Sequence, residues 1–269
     1  MGKRISLLHC VLLLALVPLS AQGPISGFMP FAGQTDLALS YSGERFDTYL
    51  FGREKQDISL QTRSYNLFLE HGLSRRSALV LTIPYLSIDD ENKGLQDGSI
   101  HLKYRNYHDV SSLGELSLIT GIGLSFPLSQ YPTDTQNPIG QRATTFSGRF
   151  LAQYKFNSGL FVHLQSGLDF RLIPEAQSAI PFLFRMGYGA PWFYVDGWLE
   201  YFHTFNNGID SSIGAGSGSR WLRTGGTFFV PVTPYFGLFI GGALVLSGQN
   251  IGLIRRWNIG GVLKLGATP

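Results

Sequence analysis

Residues Gly159–Arg171 read GLFVHLQSGLDFR, and their alternation decides the fold. Leu160, Val162, Leu164, Leu168 and Phe170 fall on one face, with Ser166 among them; Phe161, His163, Gln165, Gly167, Asp169 and Arg171 fall on the other. A period of two sustained over the whole stretch is a strand pattern, with one apolar face and one that carries formal charges. The pattern recurs outward from this stretch in both directions. Ile180, Phe182, Phe184, Met186 and Tyr188 oppose Pro181 and Arg185. Leu116, Leu118, Ile122, Leu124 and Phe126 oppose Glu115, Ser117, Gly121, Gly123 and Ser125, and Trp257, Ile259, Leu263 and Leu265 oppose Arg256, Asn258, Gly260 and Lys264. No segment keeps a 3.6-residue stripe, so the chain reads as all-β.

Such runs number about twelve, each of the length a tilted transmembrane strand needs. They fall near 35–51, 57–71, 77–87, 97–107, 114–127, 143–156, 159–171, 178–188, 191–204, 219–231, 235–247 and 252–266. The connections alternate in character. Ser87 to Gln96, Leu128 to Arg142 and Phe205 to Gly218 are long or polar, whereas Gly72 to Arg76, Asn157-Ser158, Gly189-Ala190 and Thr233-Pro234 are tight. Tyr107 to Leu113 reads as an exception, a longer link where a tight one is due. Long loops on one rim and short turns on the other are the mark of a bacterial outer-membrane barrel, with the short turns periplasmic. The expected fold is an antiparallel transmembrane β-barrel of about 12 strands.

Composition agrees with that reading. The chain has 269 residues, 44% hydrophobic and only 14% charged, with 33 glycines. A soluble domain carries about 25% charged residues. The chain is too apolar, and at +3 too weakly charged, to stay disordered. After the N-terminus no run approaches the ~20 apolar residues of a membrane helix.

Met1 to Ala21, MGKRISLLHCVLLLALVPLSA, reads as a cleaved secretory signal peptide. Lys3 and Arg4 form its basic end, Ile5 to Val17 its apolar stretch, and Ser20 and Ala21 its small-residue exit. The barrel domain would then be 22–269. The lone cysteine, Cys10, falls inside the signal, so the mature chain offers no thiol for catalysis or metal binding. Removal of Lys3 and Arg4 takes the formal charge from +3 to +1, and no nucleic-acid partner is implied.

Face polarity chooses the solvent. The polar face carries Lys103 and a set of candidate lumen-lining residues: Arg149, His163, Asp169, Arg171, Arg185, Asp196, Glu200, Arg223 and Arg256. These would either set the selectivity of a pore or form a cross-strand ion-pair lattice in a narrow lumen. The apolar face has aromatics near strand ends: Tyr85, Tyr104, Phe126, Tyr154, Phe170, Tyr188 and Trp257. They suit a girdle at each membrane interface, facing outer-membrane lipid.

Catalytic and metal chemistry find little support. Tyr201 to Gly208, with Ser211 and Ser212 beyond, is similar to the His-Ser and Asn-Gly stretch of outer-membrane phospholipase. Here Phe205 holds the nucleophile position, and Thr204 points to the face opposite His203, out of reach of it as a base. Asp89, Asp90, Glu91 and Asn92 lack the alternating oxygens of a calcium loop. Gly214 to Gly218 precedes no helix that could cradle phosphate. His101, His163 and His203 are scattered over separate strands. No metal, no cofactor and no enzyme activity is expected.

The last strand, Asn258 to Leu265, resembles the terminal signal read by the barrel-insertion machinery, although the chain continues to Pro269. Leu69-Glu70-His71-Gly72-Leu73-Ser74, Ile83-Pro84-Tyr85, Leu95-Gln96-Asp97-Gly98 with His101 to Arg105, and Gly121 to Leu128 resemble a transporter-like outer-membrane family labelled for the meta-pathway of phenol degradation. That family usually has a Pro-Thr/Ser-Gly turn where this chain has Pro127-Leu128-Ser129. The resemblance implies an outer-membrane barrel among porin-like or hydrophobic-solute channels, and brings no catalytic residues. The expected function is a passive channel for small, hydrophobic or aromatic solutes in the bacterial outer membrane. The loops Leu128 to Arg142 and Phe205 to Gly218 are the ones placed to gate it. A structural or adhesive barrel with a closed lumen is the alternative, and a lipid hydrolase using His203 the third reading.

Overall fold

The twelve alternating runs all form strands. The structure, a computed structural model, describes residues 25–52, 54–88, 92–133, 139–205 and 218–266. The signal-peptide reading of 1–21 lies outside them, as do Asp89 to Glu91 and most of the loop from Phe205 to Gly218.

In chain order the strands are β1 (Thr35–Phe46), β2 (Tyr49–Phe51), β3 (Glu54–Gln56), β4 (Leu60–Gly72), β5 (Ser77–Ile88), β6 (Asn92–Leu95), β7 (Asp97–Val110) and β8 (Gly114–Pro127). Then follow β9 (Thr144–Phe156), β10 (Leu160–Ile173), β11 (Gln177–Ala190), β12 (Phe193–Thr204), β13 (Arg220–Pro231), β14 (Phe236–Gln249), β15 (Ile251–Gly252) and β16 (Arg255–Leu265). Twelve of these close into an antiparallel ring: each long strand pairs with the next, and β1 pairs with both β4 and β16. Short β6 extends β5 beyond the wall, and β2, β3 and β15 form a separate small sheet above it. Closure removes every sheet edge, which is what lets strands cross a medium that offers no hydrogen bonds.

The two rims differ. Residues 73–76, 111–113, 157–159, 191–192 and 232–235 turn tightly at one rim, where Thr35 of the first wall strand also pairs with Leu265 of the last. We call this the turn rim, and the opposite one the loop rim. The exception expected at Tyr107 to Leu113 disappears: β7 continues to Val110, helped by a register shift between Arg105 and Tyr107. The loop rim is less uniform than expected, because only residues 174–176 separate β10 from β11. The run read as 35–51 is broken at Asp47, which accepts from Arg45 Nε at 3.0 Å and from Ser59 Oγ at 3.1 Å and so turns the chain off the wall.

Burial is inverted relative to a soluble barrel. Leu39 (58%), Ile122 (50%), Phe150 (55%) and Ile240 (56%) stand exposed around the outer wall, whereas Lys103 and Glu70 are fully buried inside. Exposed apolar side chains on every face of the wall exceed by far the patches that soluble monomers tolerate. Of the seven expected outer aromatics, Tyr85, Tyr104, Phe126, Phe170 and Trp257 are exposed on this face, and Tyr154 and Tyr188 are half-buried.

Candidate functional site

The lumen is divided by height. Its turn-rim half is filled by Ile25 to Pro30, the segment that precedes β1. Ile25 and Phe28 are buried among Phe68 of β4, Ile119 of β8, Leu151 of β9, Phe161 of β10, Tyr194 of β12 and Phe239 of β14, all inward-facing. The approach is close: a Cβ on Gly121 of β8 would lie 2.5 Å from Ile25 Cδ1. Apolar side chains inside a barrel stay dry only if something fills the space between them, and here the chain's own N-terminal segment does so.

Two polar clusters hold that segment. Lys103 Nζ donates to Phe28 O at 2.6 Å, to Ser26 O at 3.0 Å and to Glu70 Oε1, so one ammonium ties β7, β4 and the inner segment together. On the other side, Arg185 binds Asp196 through Nε at 3.0 Å and Nη2 at 2.5 Å, and Tyr194 OH donates to the same carboxylate at 2.6 Å. The guanidinium lies 6.0 Å from the Phe28 ring centroid, 5.5 Å from Phe161 and 5.7 Å from Tyr194. Phe28 packs edge-on against Phe161 at 5.2 Å. The arrangement is an aromatic socket with a cation over its rings.

The loop-rim half is wetter and charged. Arg149 Nη2 meets Asp169 Oδ1 at 2.7 Å, Arg223 Nε meets Glu200 Oε2 at 2.6 Å, and Arg256 Nη1 meets Glu44 Oε1 at 3.0 Å. Glu200 with Arg223, and Glu44 with Arg256, are direct register partners. Between them stands an aromatic shelf: Phe202 stacks on Trp221 at 5.1 Å, and Arg223 lies 4.6 Å from Trp221 and 5.6 Å from Trp198. The buried Trp198 Nε1 has no hydrogen-bond partner among the described residues. At the mouth, Tyr131 and Ile139 of the loop after β8 pack on Ile88 and Leu86, so this loop folds onto the inner wall. The Tyr131 phenol binds Asp97 and accepts from Arg142 N at 2.8 Å; burial pushes its pKa up.

Of the nine residues expected to line the lumen, six therefore meet as three pairs: Arg149 with Asp169, Arg185 with Asp196, and Glu200 with Arg223. The other three find partners elsewhere. His163 is buried with Gln153 Oε1 3.4 Å from its Nδ1, Arg171 donates to Gln141 Oε1 at 2.6 Å and Glu175 O at 2.9 Å, and Arg256 takes Glu44. Glu44 and Glu70 were missed, although extending the alternation into β1 and β4 would have placed both on the polar face. Five cations and five carboxylates pair inside the barrel.

His203 does not belong to this set. It stacks on Tyr201 at 6.4 Å on the outer face, while Thr204 turns inward to bind Ser219. Ser211 and Ser212 lie outside the described residues. Among the described residues no cluster of His, Cys, Asp or Glu could hold a metal ion.

No protein-family model matches the chain, and no curated protein matches it by sequence. Solved structures do. An outer-membrane channel from Pseudomonas putida F1 superposes with a TM-score of 0.73 at 16% identity, over 93% of this chain and 100% of that one. The NanC porin follows with a TM-score of 0.57 at 9% identity, covering 85% of this chain and 100% of its own. The KdgM porin gives 0.52 at 10% identity, covering 84% and 98% respectively. At these identities the likeness is one of fold, and the fold is that of outer-membrane barrels.

Proposed function

We propose that the chain is a passive outer-membrane channel for small uncharged solutes, hydrophobic or aromatic in character. The turn rim would face the periplasm and the loop rim the cell exterior, following the rule for such barrels. The observation that carries the solute class is the pairing of five inner-wall cations with carboxylates, Arg171 at the loop rim being held by neutral oxygens instead. Lys103, Arg149, Arg185, Arg223 and Arg256 each already have a carboxylate, so these pairs offer a free ion little, while the half-buried Trp221 and Phe202 offer ring faces to a planar guest. The resemblance to the phenol meta-pathway family supports the same solute class. The nine lumen residues act in this reading mainly as a lattice that shapes the bore, and none is asked to do chemistry.

The test is flux into proteoliposomes. The purified barrel should admit a small neutral aromatic solute faster than a carboxylate of equal size. Deletion of residues 25–30 should raise both rates and keep their order. A second reading, a structural barrel with a permanently closed lumen, draws on the segment seated in the turn-rim half. It expects no flux from either form, and that result would end the channel reading.

A further inference from the structure

Outside the lumen, β16, β1 and β4 carry arginines outward at the loop rim. Arg45 of β1 is the register partner of Arg255 of β16, and Arg63 of β4 lies one alternation step below, opposite Gly43. All three side chains are exposed. Like charges placed directly opposite on adjacent strands are unfavourable unless an anion joins them. Asp47 supplies one carboxylate, accepting from Arg45 Nη2 at 2.8 Å.

Beneath the arginines is an aromatic platform. Trp257 follows Arg255 by two residues and Tyr65 follows Arg63 by two, a drop of about 7 Å along each strand. Tyr41 bridges them, with its ring 5.0 Å from Tyr65 and 5.4 Å from Trp257. The indole lies across the β1 backbone at Gly43, where a Cβ would stand 2.7 Å from Trp257 Nε1. Ile259, the register partner of Tyr41, is 50% exposed, and Leu39, two residues below Tyr41, is 58% exposed. Aromatic belts are general at membrane interfaces. Here three guanidiniums of the same outward face stand directly above one.

We propose that this patch binds the phosphorylated headgroup of a glycolipid in the leaflet at the loop rim, with Arg45, Arg63 and Arg255 on phosphate and the Tyr41 platform under the headgroup. Guanidinium forks fit phosphate oxygens in pairs, and Arg45, whose Nε and Nη2 already bind Asp47, adds its charge and its remaining donor. A membrane-anchored phosphate fits better than a free one, because the apolar strip below the platform receives acyl chains. The inference rests on the membrane placement proposed above and is independent of the solute.

The experiment uses the full-length protein extracted from outer membranes in mild detergent, titrated by native mass spectrometry with bis-phosphorylated lipid A, its dephosphorylated form, and inorganic phosphate. Bis-phosphorylated lipid A should bind, and binding should fall about fivefold for each arginine removed in Arg63→Gln and Arg255→Gln. Arg220→Gln, on another sector of the same rim, should leave it unchanged. The Arg63→Lys/Arg255→Lys variant, which keeps the charge and loses the forks, should bind between the wild type and the Gln double variant, which guards against reading a folding defect as lost contact. Equal binding of the dephosphorylated lipid, or an undiminished Gln double variant, overturns the site. Displacement of the lipid by millimolar inorganic phosphate would reassign it to a free anion and overturn the lipid as occupant. Absence of the wild-type protein from the outer-membrane fraction would instead overturn the placement on which the inference rests.

Discussion

The two halves of the lumen obey one alternation rule and come out as different materials. In the turn-rim half, Val80, Ile119 and Leu151 are fully buried, and Ile25 and Phe28 fill the space between them. In the loop-rim half, the Arg223 side chain is 32% exposed, and Arg256 and Glu44 are 28% and 29% exposed. The first is a protein core that happens to lie inside a barrel; the second is a vestibule with wet ion pairs and aromatic faces. Inward orientation therefore does not define a pore. What decides is whether another piece of chain fills the space between the inward faces: Ile25 to Pro30 does so in the turn-rim half, whereas among the described residues the loop after β8 covers one sector of the mouth.

That difference should appear most strongly in the ion pairs. Lys103→Met leaves Glu70 fully buried and without its ammonium, and also removes the donor to Phe28 O and Ser26 O. Breaking a buried pair costs about 3–5 kcal/mol. Arg256→Met breaks a pair that water already reaches on both sides, for which about 0–1 kcal/mol is expected. Urea unfolding of both variants in lipid, followed by tryptophan fluorescence, measures the gap. Equal losses would mean that the two halves are the same kind of environment after all.

Phe28→Ala tests the segment and leaves the wall intact. The ring contacts Phe161, Tyr194 and the Arg185 guanidinium, so its loss should cost about 3 kcal/mol of docking, the lower end for a buried phenylalanine because the segment can partly close the gap. The barrel itself should unfold as before. Single-channel recording should show longer and more frequent open states, and limited proteolysis should cut near residue 28 far faster than in the wild type. Unchanged gating with unchanged proteolysis would show that the segment is not held by this socket.

Much of this was readable beforehand, and the limits have physical causes. Alternation placed all twelve wall strands and put each of the nine candidate residues on the polar face, because between the rims the outward face of the wall is apolar. Partners were less readable. Lys103 and Glu70 meet across the intervening β5, a contact set by strand tilt and shear that no local pattern encodes. Ile25 to Pro30 carries no periodicity, since its shape is imposed by the cavity it fills. Trp198, Trp221 and Phe202 escaped notice for a different reason: aromatics were read as belonging to the lipid face, and these three point inward.

Those inward aromatics give the smallest and most selective test. Trp221 is stacked with Phe202 and has Arg223 4.6 Å from its ring centroid, and the same arginine is held by Glu200 at 2.6 Å. Trp221→Ala removes a ring face from the vestibule but leaves the charge pair and the filled half intact. Conductance to small ions and the unfolding midpoint should barely move. Retention of a neutral aromatic solute, read as block of the ion current, should weaken by about 2–5-fold, the worth of one exposed cation–π contact or ring stacking. Trp221→Phe should restore most of that loss, since it returns a ring face without the indole N–H. Phe28→Ala should change the open fraction without changing the block in the open state. If Trp221→Ala altered gating, or Phe28→Ala altered block, the vestibule and the filled half would be one coupled device, with solute binding above transmitted to the segment below through the wall they share.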